Sequence, residues 1–167
     1  EGTAQLLKAR MPGDREWQAH GFNTPFDVDP GIRGELFPAG HIPGSSMLRL
    51  EGDQSSLLYT GDFKLESGPS AESCVVPRAD TLIMETTYGI PKYTFPPLSE
   101  VATEMIQFCR ESIEDGVIPV LFGYSLGKAQ VILSILRHSE LDIMLHPQAL
   151  KMTQTCQAIG FNYPDFQ

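Results

Sequence analysis

The chain has 167 residues, 41% of them apolar and 20% charged, with 15 glycines and 13 prolines. This is enough for one ordinary domain or parts of two around a packed core, and too apolar for wholesale disorder. A formal net charge of −9 excludes a broad basic surface for polyanions, so any nucleic-acid partner has to be held by a local feature such as bound cations or a small Lys/Arg cluster.

Residues 3–11 read as a short amphipathic helix with Leu6, Leu7 and Met11 on one side, stopped by Pro12-Gly13-Asp14. Residues 22–34 are rich in Pro, Gly and Asp and read as a loop with short extended pieces. A strand over 35–39 runs into Gly40-His41. Residues 47–51 alternate apolar and polar, the pattern of a half-buried strand. After a turn at Gly52-Asp53, residues 56–60 form its partner and end at Gly61-Asp62. Residues 67–77 are a polar loop, and 80–85 a buried strand that ends on Glu85. Residues 89–97 hold three prolines and two aromatics, which predicts a linker or ordered crossover and a domain boundary near 93–97. Residues 98–114 have helical spacing, with Val101, Met105, Phe108, Cys109 and Ile113 on one face. A strand over 117–122, a helix over 126–137, a strand over 141–145 and a helix over 148–159 follow. That alternation predicts a parallel sheet with right-handed crossovers.

Cys74, Cys109 and Cys156 form no CxxC pair, which points to reduced, mostly buried thiols and a cytoplasmic protein. No apolar run is long enough to span a membrane. The first four residues, Glu-Gly-Thr-Ala, carry neither a secretory signal nor an initiator Met. The expectation is therefore an internal stretch of a longer product.

Three features share one design: an apolar strand stops, a small residue stands beside the stop, and a metal-capable side chain follows. They are Gly40-His41, Gly61-Asp62 and Glu85 with Thr86-Thr87. A strand fixes the backbone while its end stays open to solvent and ligand. Imidazole supplies a neutral nitrogen, and a carboxylate supplies oxygens that can bridge two cations. Spacing alone leaves the alternatives open: a loop histidine, an Asp-capped turn and a solvated glutamate. Ser125-Leu126-Gly127-Lys128 opens a helix after a strand and suits either a phosphate on backbone N–H groups, helped by Lys128, or ordinary Ser capping. Ser45 and Ser46 read as turn hydroxyls, His146-Pro147 as a helix start, and Tyr88 and Tyr93 as packing residues or a stacking surface for a base.

The wording around these residues adds a resemblance. Phe37-Pro38-Ala39-Gly40-His41-Ile42-Pro43-Gly44-Ser45-Ser46 resembles the AGHxxGS element of the β-CASP nucleases of the metallo-β-lactamase fold. Tyr59-Thr60-Gly61-Asp62-Phe63 resembles their next motif, and Glu85-Thr86-Thr87-Tyr88-Gly89 the E(S/T)TYG element that opens the β-CASP region. Leu126-Gly127-Lys128-Ala129-Gln130 is similar to their LGKAQ helix start. The four stand in family order. The segments TGDFKLESGPSAES and TTYGIPKYTFPP are most similar to the ligase-associated DNA exonucleases, a group also described as mRNA 3′-end processing exonucleases.

The resemblance implies an α/β chain in which 1–92 are part of a metallo-β-lactamase domain, itself part of an αββα sandwich. Residues 93–167 would then begin a parallel α/β β-CASP domain. It implies that His41 ligates one zinc ion and Asp62 bridges two, both acting in phosphodiester hydrolysis. Glu85 would orient a histidine that serves the leaving group. The phosphate reading of the 125–128 turn, apart from the resemblance, makes Ser125 and Lys128 the candidate substrate-binding residues. The implied partners are DNA or RNA, with a DNA ligase or a helicase alongside, and no membrane. The family's HxHxDH motif, source of most metal ligands, is absent; His20, His138 and His146 do not stand in that pattern. These 167 residues alone therefore hold too few ligands for a complete zinc site. Two further readings follow: another hydrolase of the same fold, or a metal-free binding scaffold.

Overall fold

The computed structural model describes residues 2–11 and 13–167. Among these residues the elements run α1 (Gly2–Arg10), β1 (Phe26–Asp29), β2 (Ile32–Pro38), β3 (Ser46–Glu51), β4 (Ser56–Tyr59), β5 (Thr81–Ile83), α2 (Leu98–Glu114), α3 (Lys128–Leu136) and α4 (Pro147–Ala158). The five strands form one sheet in the order β1-β2-β3-β4-β5. Its first three pairings are antiparallel and the β4–β5 pairing is parallel.

The sheet is set by pattern and turn chemistry. Residues 22–34, expected as a loop, include a hairpin. Pro30-Gly31 turns the chain with Gly31 at φ +78°, and Phe26 faces Gly34 across the pair. A Cβ at Gly34 would lie 2.7 Å from the Phe26 ring, so glycine lets the aromatic lie flat on the strand. In β2–β3 the register places Phe37 opposite Met47, and β3–β4 places Arg49 opposite Leu58. Phe37, Ala39, Met47 and Leu58 are the buried cluster on that face, covered by Phe63, Cys74 and Ala79 from the long loop after β4. The other face carries Leu36, Leu48 and Tyr59 and is only partly covered.

Strand β5 corrects one expectation. It forms where predicted, but Leu82, Ile83 and Met84 are exposed rather than buried. It is one of the sheet's two edge strands, and its apolar side chains stay about half exposed. Its start is pinned by Asp80, whose Oδ2 accepts from the N–H and hydroxyl of Ser56, each at 2.8 Å.

Helix α1 buries Leu6 and leaves Met11 exposed, against the expected apolar side; the predicted stop at Pro12 lies outside the described residues. Lys151 of α4 donates to the carbonyl of Ala9 at 2.7 Å, filling an acceptor that a helix end leaves open. Helix α2 has the predicted bounds, with Cys109 buried but Phe108 and Ile113 half exposed. His146 caps α4, its Nδ1 accepting from the Gln148 N–H, with Pro147 in the first turn.

The predicted parallel sheet of the second half does not form. Residues 117–122 and 141–145 belong to no strand. A strand needs a neighbour for its N–H and C=O groups. Among the described residues the 141–145 backbone pairs with the chain end, through Leu145 N–H to Gln167 O at 2.9 Å and Gln167 N–H to Ile143 O at 2.8 Å. Both segments instead line an apolar cleft of about 1030 Å³ against α2 and α3. Ile118, Val120, Phe122 and Tyr124, every second residue, face solvent. The surface accessible to solvent is 11448 Å², against roughly 8,200 Å² for a compact monomer of this mass.

Candidate functional site

His41 sits on a loop whose shape is dictated by glycine and one serine. Gly40 has φ +74°, and a Cβ there would lie 2.3 Å from the Lys64 carbonyl oxygen, so only glycine fits. The Ser45 hydroxyl accepts from the His41 N–H at 3.0 Å and the Ile42 N–H at 3.2 Å, and the Ser45 N–H returns a bond to Ile42 O at 2.9 Å. Ser46 Oγ donates to Gly44 O. Both hydroxyls thus hold the turn. The far side is braced by Glu72, which accepts from the Gly44 N–H at 2.9 Å, and by Thr3, which donates to Gly44 O at 2.5 Å. Glu72 gave no sign in the sequence, because it lies in a polar loop 28 residues away.

Asp62 follows Gly61, a left-handed residue at φ +54° just beyond β4. The turn brings His41 Nε2 to 4.0 Å from Asp62 Oδ2, with both side chains open to solvent. Glu85 joins them from the end of β5. Its Oε1 accepts from the Phe63 N–H at 3.3 Å, and its Oε2 from the Thr87 N–H at 3.2 Å and the Thr87 hydroxyl at 2.5 Å. These bonds hold its carboxyl below the usual range, the Thr87 hydroxyl first, then the Thr87 and Phe63 N–H groups, with a smaller contribution from His41. One imidazole and two carboxylates from three sequence-distant turns therefore gather at one edge of the sheet.

Two donors at tetrahedral zinc distances stand roughly 3.4 Å apart. The His41–Asp62 pair, at 4.0 Å, stands wider than that spacing, with an imidazole nitrogen and a carboxylate oxygen, the donor types zinc takes. Among the described residues no group of three or more His, Cys, Asp or Glu side chains is placed to share a metal ion. Glu85 spends its oxygens on Phe63 and Thr87. Burial pushes the Cys156 thiol up to about 11, so it stays protonated and supplies no thiolate.

Ser125 and Lys128 lie at the start of α3. The Ser125 carbonyl accepts from Gln130 Nε2 at 3.1 Å, and the Lys128 stem runs along Gly123. Gln130 is fully buried. Its Oε1 accepts from the Gly127 N–H at 2.7 Å, and its Nε2 also donates to Thr153 Oγ1 at 2.8 Å. This is the side-chain half of a capping box, with Gly127 in place of the usual hydroxyl residue. Gln130 was missed as a structural residue, although its position three after Gly127 is the legible signal. Ile42, next to His41, packs on Gly127, so the histidine loop and the start of α3 touch.

The comparisons with known proteins bear on this arrangement. No family model matches the chain. It is 46% identical over 167 residues to a protein of Opitutus terrae named "Probable DNA ligase", covering 99% of this chain and 16% of that protein. It is 28% identical over 156 residues to "RNase aCSPSF2" of Saccharolobus solfataricus, covering 89% and 31%. It is 37% identical over 117 residues to "Transcription termination factor FttA" of Methanothermobacter thermautotrophicus, covering 66% and 18%. These similarities are consistent with the resemblance to the β-CASP nucleases. The chain spans less than a third of the length of these relatives. Its fold is shared with a crystal structure of a protein of unknown function from Enterococcus faecalis V583, at a TM-score of 0.64 and 15% identity, covering 99% of this chain and 44% of that one.

Proposed function

We propose that this chain contributes one side of the active site of a zinc-dependent nuclease that hydrolyses phosphodiester bonds at the ends of DNA or RNA. The observation that carries the reading is the approach of His41 to Asp62 at the sheet edge, within wording that resembles the family's motifs. On this reading residues 1–92 are part of a metallo-β-lactamase domain and 93–167 begin the β-CASP domain. The name RNase borne by one relative supports a nucleic-acid substrate. The similarity to a protein named as a probable DNA ligase supports work beside a strand-joining activity. Among the described residues no helix is long and apolar enough to cross a membrane, and the three cysteines are unpaired, which suits the cytoplasm.

His41 and Asp62 would hold the metal, His41 through a ring nitrogen and Asp62 through a carboxylate able to reach two cations. Zinc supplies Lewis acidity and an activated water when bound. The chain's own residues do the positioning. Ser45 and Gly40 fix the histidine loop, and Gly61 turns Asp62 toward it. Glu85, tied to the Phe63 N–H beside Asp62, keeps that turn in register and would orient a histidine serving the leaving group. Ser125 and Lys128 would contact substrate phosphate from the start of α3. Residues 116–139 hold no carboxylate, so this stretch does not repel a polyanion as the chain's net charge would.

The test is cleavage of an end-labelled single-stranded oligonucleotide by the protein carrying this chain at its full length. Asp62→Ala removes the metal-holding carboxylate and on this reading lowers cleavage by ~10²–10³-fold or more, the scale for losing one element of transition-state charge stabilisation. Undiminished cleavage takes Asp62 out of the mechanism.

A further inference from the structure

Beyond the metal-facing residues, the segment that leaves Glu85 carries an unexplained cluster of exposed rings. Tyr88 is edge-on to Tyr93, with ring centres 5.3 Å apart at 82°, and edge-on to Phe95, at 5.1 Å and 86°. Lys92 Nζ lies 4.9 Å from the centre of the Tyr93 ring. A hydrophobic core would bury such rings, yet Tyr88 is 62% exposed and Phe95 65%. Two tight turns hold their spacing: Gly89 N–H to Thr86 O at 3.0 Å, and Tyr93 N–H to Ile90 O at 3.1 Å. Edge-to-face contact fixes the ring planes, and the exposure leaves part of each ring open to a partner. A pre-ordered aromatic loses little entropy when a flat partner stacks on it.

Local charge selects the partner. The chain as a whole is acidic, yet residues 86–99 contain no Asp or Glu and one Lys, Lys92. Flat open rings beside a lone cation, in a stretch with no carboxylate of its own between Glu85 and Glu100, suit a ligand that alternates aromatic faces with negative charge. We propose that Tyr88, Tyr93 and Phe95 form a stacking platform for unpaired bases of single-stranded nucleic acid, with Lys92 against a phosphate. The proposal rests on the nuclease reading and adds to it. The platform begins three residues after Glu85, so a strand engaged there would be held next to the His41–Asp62 edge by its bases rather than by its backbone alone. Base stacking of this kind tolerates any sequence.

The test uses the 167-residue chain and two fluorescein-labelled octamers, one single-stranded DNA and one with every base replaced by an abasic site, followed by fluorescence anisotropy. The wild type is expected to bind the base-bearing octamer roughly 5- to 100-fold more tightly than the abasic one. Tyr88→Ala with Phe95→Ala should bring both to the same weak affinity, and Tyr88→Phe should retain the preference. Circular dichroism checks that the variants keep the helices. Equal binding of the two octamers by the wild type, a preference that survives the double substitution, or no binding of either would overturn the platform. The two readings fail separately. Loss of base preference with Asp62-dependent cleavage intact in the longer protein removes only the platform. Base preference without that cleavage removes only the nuclease.

Discussion

The Cγ2 methyl of Ile42 fills the space that a side chain at Gly127 would occupy, 2.5 Å from the position of a Cβ there. One contact thus joins the histidine loop to the start of α3, and it depends on a glycine at φ +92°. Gly127→Ala brings backbone strain and a clash against the neighbour of His41. It should cost about 1–3 kcal/mol, read as a lower denaturation midpoint, and it should move the His41 ring resonances. A Gly127→Ala chain with wild-type stability and unchanged His41 signals would show that the contact is dispensable.

Gln130 ties α3 to α4 as well as to its own cap. Gln130→Leu leaves the Thr153 hydroxyl, the Gly127 N–H and the Ser125 carbonyl without their partner. Unsatisfied buried polar groups predict a loss of roughly 2–4 kcal/mol in urea unfolding. Combined with Thr153→Val the loss should be smaller than the sum of the two, since they share a bond. Strict additivity would mean that the Gln130–Thr153 bond contributes nothing.

Asp80 pins the strand that delivers Glu85. Its carboxyl is held below the usual range, first by the Ser56 hydroxyl, then by the Ser56 N–H, with a smaller pull from Arg49. A folded-state value below the unfolded one, about 3.9 for aspartate, gives stability that is present above the unfolded value and lost as pH falls through the folded one. Ser56→Ala should raise the Asp80 midpoint toward the ordinary range in a carboxyl ¹³C titration, while Ser56→Thr should keep it low. A midpoint unmoved by Ser56→Ala would assign the shift to another cause.

Local pattern carried much of this structure into the sequence. Strand β3 alternates, β4 follows it across the Gly52-Asp53 turn as its partner, and α2 keeps one helical face from 98 to 114, so each was legible from local sequence. What required neighbours was not. Strand β5 is apolar enough to be read as buried, but burial depends on a covering layer. Residues 117–122 have strand composition, but pairing depends on an adjacent backbone. The hairpin at Pro30-Gly31 was hidden because β1 is only four residues with two aspartates, and the start of β2 follows directly on the Pro-Gly turn. At the site, His41, Asp62 and Glu85 were singled out by strand ends and motif wording. Their gathering at one edge is a property of the β2–β3–β4–β5 order. Glu72 and Gln130, which hold the loop and the cap, act through contacts that no single-segment pattern displays.

The central claim is that His41 and Asp62 serve one cation. A Zn²⁺ titration of the ¹⁵N-histidine-labelled chain tests it directly, since the four imidazoles, His20, His41, His138 and His146, report separately. His41 should respond at the lowest zinc concentration, and Asp62→Asn should weaken that response at least ~10-fold while leaving the other three unchanged. A His41 response that ignores Asp62→Asn, or zinc that favours none of the four rings, would contradict the account.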